Sequence, residues 1–139
     1  MGVEKETLVA SEGLDQESVA VGKVQRNDKV TVHYKARYEH QGKVKMYENT
    51  RGFLGVFGNK KVIFTVGSKD VIAGLDVGIQ KMVLGEKAKL GMTSDVAYAE
   101  NGYKGKVPPN AFILMEVELL SIERNGRVHN QMSGSSCFA

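Results

Sequence analysis

Reactive side chains are few in this 139-residue chain, and their spacing excludes most covalent and metal chemistry. His33, His40 and His129 stand at no spacing that a shared metal needs. Cys137 is the single cysteine, so one chain offers neither a disulfide nor a thiolate metal site. A prenylation box needs cysteine fourth from the end, and SSCFA misses it by one residue. Residues 51–61, RGFLGVFGNKK, suggest a phosphate loop but fail its pattern. Counted from Gly52, the second required glycine falls on Phe57, and no Ser or Thr follows Lys60. What remains is recognition by aromatic rings and hydroxyls. Tyr98 and Tyr103 lie in residues 93–109, TSDVAYAENGYKGKVPP, a loop longer than the roughly 12–15 residues beyond which loops in compact domains are usually functional.

The elements that position such a loop centre on residues 62–92. Val62, Phe64 and Val66 alternate with Ile63 and Thr65 as a strand, ended by Gly67-Ser68. Val71, Ile72, Leu75, Ile79 and Met82 then follow helical spacing, which predicts a short amphipathic helix with Ser68 as N-cap and Asp70 in its first turn. Gly74 and Gly78 cost about 1 kcal/mol each against Ala. A short helix survives them only by packing closely on a sheet. Gly85-Glu86 turns the chain into a strand whose Ala88, Leu90 and Met92 oppose Lys87 and Lys89.

Upstream, residues 29–40 alternate most cleanly, with Val30, Val32, Tyr34, Ala36 and Tyr38 on one face. His33 falls on the other face and reads as a solvated histidine. Gln41-Gly42 predicts a hairpin into residues 43–49. Residues 18–24 read as another short strand. In residues 51–61, Phe53, Leu54, Val56 and Phe57 read either as a bulged strand tucked under its neighbours or as an apolar flap beside a site. Downstream, residues 110–123 place Ile113, Met115, Val117 and Leu119 inward and Glu116 and Glu118 outward. The division expected is an N-terminal extension or loose edge strand (1–17), one folded domain (18–123) and a disordered tail (124–139). One helix against a mostly antiparallel sheet makes the class α+β.

Composition narrows the function classes. Apolar residues make up 42%, charged residues 25%, and the net charge is +3, without a run of Lys/Arg. Nucleic-acid binding is not expected, and nothing approaches the ~20 apolar residues of a membrane span. The opening MGVEKETLVASEG is too acidic for a signal peptide, and Glu6 stands where myristoylation of Gly2 needs Ser or Thr. A cytoplasmic monomer without cofactor or metal is the expectation.

VTVHY, VIAGLDVGIQKMVLGEKAKL, AYAENGYKGKVPPNA and MEVELLSI, in that order, resemble the FKBP-type peptidyl-prolyl isomerases, the immunophilin family that binds tacrolimus and rapamycin. The resemblance covers residues 19–123. It implies a strongly curved antiparallel sheet of five to six strands wrapped around one short helix. It also implies a site. Tyr98, Glu48 and Tyr34 take the catalytic positions, the Tyr98 hydroxyl bonding a ligand carbonyl. Tyr47, Phe64, Val71, Ile72, Leu75, Tyr103, Val107 and Met115 take the substrate-binding positions, Val71 and Ile72 through their backbone. Tyr47-Glu48 replaces the usual Phe-Asp. Leu75 stands where the family has a floor Trp, Met115 and Val62 where it has Phe, and Ala99 where Gly is common. The scaffold is kept and the aromatic cradle is thinned.

The resemblance therefore implies rotation of X–Pro bonds in peptides or unfolded chains. That reaction needs no nucleophile, metal or strong acid. Macrolides of the tacrolimus and rapamycin type would bind more weakly because of Leu75 and Met115. The alternative is a catalytically weak FKBP-like domain acting as a protein-binding or chaperone module. Each aromatic named also reads as plain core.

Overall fold

The computed structural model describes residues 2–9, 22–50 and 60–130. Strands are numbered in chain order: β1 (Val3–Val9), β2 (Lys29–His40), β3 (Lys43–Asn49), β4 (Val62–Thr65), β5 (Lys87–Met92), β6 (Phe112–Arg124) and β7 (Arg127–Asn130). They form one antiparallel sheet in the order β1-β5-β6-β2-β3, with β4 joined to β2 and β7 to β6. Alternation builds its inner face. Val30, Val32 and Ala36 of β2, Ala88, Leu90 and Met92 of β5, and Ile113, Met115, Val117 and Leu119 of β6 are all buried. Register aligns them in rows, such as Ala36, Met115 and Leu90 across three strands. Register shifts at Thr31/Val32 and Ala36/Arg37 mark bulges, which bend a sheet and increase its twist. The described residues hold seven strands where five to six were expected, and β7 lies in the stretch read as tail.

The single described α-helix, α1 (Ala73–Ile79), packs on this inner face. A Cβ on Gly74 would lie 2.3 Å from the Met92 sulfur, and one on Gly78 2.5 Å from Leu90 Cδ1. The two glycines let the helix backbone rest directly on β5, which offsets their poor helix propensity. The helix begins later than its apolar spacing suggests, with Ile72 as N-cap rather than Ser68. The Ser68 hydroxyl instead donates to the Thr65 carbonyl at 2.6 Å, and the Asp70 carboxylate accepts from the Thr65 N–H at 3.4 Å. These residues serve the turn before the helix. Asp76 supplies the acidic group of the first turn and accepts from the Gly67 N–H at 2.9 Å.

Three further expectations change. His33 is 3% exposed rather than solvated. Its Nδ1 lies 2.8 Å from the Thr50 hydroxyl, and Tyr34, Lys35, Lys87, Glu116 and Glu118 surround it. Register sets Glu118 of β6 directly opposite His33. Residues 124–130 form a hairpin rather than a disordered tail, turning at Asn125 (φ 54°) and Gly126 (φ 77°). Of the strand expected over residues 18–24, Lys23 makes a bridge to Val83, and residues 18–21 lie outside the described residues. So do Phe53, Leu54, Val56, Phe57 and Cys137.

Within the N-terminal segment Val3–Val9 form the strand β1 at the edge of the sheet, and Glu86 pins it. Its carboxylate, 4% exposed, accepts from Lys5 Nζ (2.8 Å), the Thr7 hydroxyl (2.6 Å) and the Val83 N–H (3.0 Å). Among the described residues no helix is long and apolar enough to cross a membrane.

Candidate active site

Two strands and one loop bring the tyrosines together. Tyr34 sits on the inner face of β2, half-buried, and its hydroxyl donates to the Glu48 carboxylate of β3. The β2–β3 register runs Arg37↔Met46 and then Ala36↔Glu48, so Tyr47 is the extra residue of a bulge. A bulge re-aims side chains. Here Glu48 reaches Tyr34 while the neighbouring Tyr47 ring reaches Tyr38 (centroids 6.3 Å apart) and Tyr98 (5.9 Å, edge-on at 81°).

The 93–109 loop is built from short bonded turns. Two 3-10 turns, Ser94–Val96 and Ala99–Asn101, flank Tyr98. The Gly102 N–H donates to the Tyr98 carbonyl at 3.1 Å, and the Asn110 N–H closes the loop onto the Ala99 carbonyl at 2.8 Å. Ala99, with φ at 52°, holds a left-handed backbone that favours glycine. Tyr103 stacks on Tyr98 at 5.2 Å and 28° and is 39% exposed.

The Tyr47 and Tyr98 hydroxyls lie 3.3 Å apart and share a hydrogen bond that either can donate. The Tyr98 hydroxyl has no other partner among the described residues. Burial, the hydrogen bond to Glu48 and the Glu48 charge push the Tyr34 hydroxyl well above its ordinary pKa. Burial and the bond to Tyr98 do the same for Tyr47. Burial raises Tyr98 as well, against the lowering effect of the bond with Tyr47. All three therefore stay protonated donors at neutral pH.

Beneath the tyrosines lies packed core. Phe64 (3% exposed), Leu75 (1%), Val107 (5%) and Met115 (2%) are buried, whereas Val71, Ile72 and Val62 are half-buried against the same core. The Ile72 carbonyl accepts from the Leu75 and Asp76 N–H groups at 3.1 and 3.2 Å. Its own N–H donates to nothing among the described residues. The structure thus joins Tyr34, Glu48, Tyr47, Tyr98 and Tyr103 in one polar-aromatic cluster and places the buried four under the surface. Sequence reasoning passed over two neighbours. Tyr38 shares the inner face of β2 with Tyr34, a signal readable from the alternation. Lys106, with Nζ 5.2 Å from the Tyr103 ring centroid, depends on a turn that no residue pattern announces.

A short helix lying on an antiparallel sheet, with tyrosines, Val71 and Ile72 packed against the core they share and nothing strongly nucleophilic among them, defines a binding fold for apolar groups. Residues 21–120 match the model of the FKBP-type peptidyl-prolyl cis-trans isomerase family. FK506-binding protein 1B of Aspergillus fumigatus is 38% identical over 133 residues, 91% of this chain and 98% of that one. The peptidyl-prolyl cis-trans isomerase of Schizosaccharomyces pombe is 36% identical over 122 residues, 88% of this chain and 96% of that one. Among solved structures, the N-terminal domain of FKBP42 from Arabidopsis thaliana shares the fold, with a TM-score of 0.72 at 24% identity over 88% of this chain and 87% of that one. The chain belongs to the FKBP-type peptidyl-prolyl cis-trans isomerase family.

Proposed function

We propose that the tyrosine cluster is where this isomerase binds proline and turns the X–Pro bond. The barrier is about 18–20 kcal/mol because rotation breaks amide resonance. The twisted transition state carries less charge separation than the planar amide, so a dry apolar surface favours it over the ground state. A thousandfold acceleration asks for about 4 kcal/mol of such preference. Val71 and Ile72 meet the proline ring, with Leu75, Phe64, Val107 and Met115 as the rigid floor under it. Tyr34 is fixed by Glu48, which makes Glu48 a positioning residue.

The observation that carries the reading is the Tyr98 hydroxyl. Apart from Tyr47, 3.3 Å away, it has no hydrogen-bond partner among the described residues, which leaves it ready to donate to a substrate carbonyl. The Ile72 N–H is a second donor of the same kind. Macrolides of the tacrolimus and rapamycin type fit the same surface, weakened by the smaller contact faces of Leu75 and Met115.

Tyr98→Phe tests this. The ring and its stacking on Tyr103 remain, and the hydroxyl is lost together with its bond to Tyr47. One hydrogen bond is worth about 1–1.5 kcal/mol, so kcat/KM for an X–Pro peptide should fall about tenfold. An unchanged rate in a folded variant would remove Tyr98 from the site.

A further inference from the structure

The aromatic row ends in cations. Residues 103–107 form a tight turn in which the Tyr103 N–H donates to the Val107 carbonyl at 2.9 Å. The Val107 and Lys106 N–H groups return to the Tyr103 carbonyl, each at 2.8 Å. Val107 is buried and anchors the turn, and Gly105 allows its reversal with φ at 78°. The turn holds Lys106 with its ammonium 5.2 Å from the centroid of Tyr103, the ring that stacks on Tyr98. Such a cation is attracted to the ring face and keeps N–H groups for a ligand. Lys104 is exposed on the same turn. At the opposite end of the row, Lys45 is the cross-strand partner of Tyr38.

None of these lysines has an ion pair among the described residues. The acids of the same loop, Asp95 and Glu100, are exposed, and among the described residues neither loop lysine pairs with them. The carboxylate acting on the row is Glu48, which already accepts from Tyr34. Lys106, held over the ring that stacks on Tyr98, and the exposed Lys104 of the same turn thus stand at the Tyr103 end of the cluster with no ion pair among the described residues.

We infer that the site selects proline peptides carrying an acidic side chain next to the proline, a specificity that rests on the isomerase reading of the same site. Lys104 and Lys106 are the specificity residues. The proline and its carbonyl are held by the cluster, and the neighbouring carboxylate meets the lysines at the lip. Ala-Leu-Pro-Phe tests the isomerase reading alone. The lysines are tested by two matched pairs, Ala-Glu-Pro-Phe against Ala-Gln-Pro-Phe and Ala-Leu-Pro-Glu against Ala-Leu-Pro-Gln.

Exchange rates and dissociation constants are measured by NMR on the wild type, a Lys104→Gln/Lys106→Gln double variant and a Lys104→Arg/Lys106→Arg double variant. In the wild type at low salt, at least one pair should favour Glu over Gln by about threefold to fivefold. The ratio should approach one in the Gln variant and at 0.5 M salt, where screening acts within about 3–4 Å. It should survive in the Arg variant. A general loss of activity cancels in the ratio. If Ala-Leu-Pro-Phe exchanges no faster, the isomerase reading fails, and the ratio of dissociation constants still decides the lysine inference. Equal affinity for Glu and Gln peptides, or a preference that persists in the Gln variant, overturns it.

Discussion

Leu75 shows how one position serves both stability and chemistry. It is 1% exposed on the buried side of α1, where a larger side chain must displace neighbours. Leu75→Trp widens the apolar face under the proline, and we expect faster isomerisation together with a loss of about 1–3 kcal/mol from overpacking. Urea melts and peptide exchange rates on the same preparation check both halves; a rate that does not rise would show that the floor is not limiting. Much of the tyrosine cluster was legible as residue types. Tyr34, Tyr47, Glu48, Tyr98 and Tyr103 do meet, and the resemblance supplied their positions. What no residue pattern could state was the contact between the Tyr47 and Tyr98 hydroxyls, the bulge at Tyr47, or the burial of His33. Those depend on register and on cross-strand partners far away in sequence.

Elements follow the same division. Strict alternation placed β2, β5 and β6 with the correct faces, because a half-buried strand has a period of two. The start of α1 was misplaced because the apolar spacing begins at Val71 while Ser68 and Asp70 bond to Thr65 in the preceding turn. β7 was missed although Asn125-Gly126 is a strong hairpin signal, since Arg127–Asn130 is too short to show a pattern. β1 holds through Glu86, and Glu86→Ala measures that hold. Removing the carboxylate takes the acceptor from the Val83 N–H and the Thr7 hydroxyl and leaves the Lys5 ammonium with the Lys81 carbonyl alone. We expect a loss of about 2 kcal/mol. Amide exchange should quicken in β1 and stay slow in β6. Equal loss of protection in both strands would mean that β1 does not open independently.

Across the whole molecule, Asp28 and Arg124 tie the start of β2 to the end of β6. The Arg124 Nε donates to Asp28 Oδ1 at 2.8 Å, and an Nη to Oδ2 at 2.6 Å. Burial alone would raise the Asp28 pKa, but the hydrogen bonds from Arg124 and the Gln25 N–H, with the charges of Arg124 and His129, hold it below its ordinary 3.8. A carboxyl depressed in the folded state stabilises above the unfolded pKa, and that contribution is lost as pH falls through the folded value. The wild type should therefore lose stability below about pH 4, and Asp28→Asn should flatten that limb while lowering stability at pH 7. Thermal melts from pH 2 to 7 would show it; parallel profiles would exclude Asp28 as a source of acid sensitivity. The frame so tied exists to hold the tyrosine cluster over α1, and its activity is read most directly in exchange NMR on Ala-Leu-Pro-Phe with a small amount of protein. Unaided, cis and trans forms exchange in tens to hundreds of seconds. A rate that rises in proportion to the protein added is the result predicted; peptide resonances that shift on binding while exchange stays at its unaided rate would contradict it.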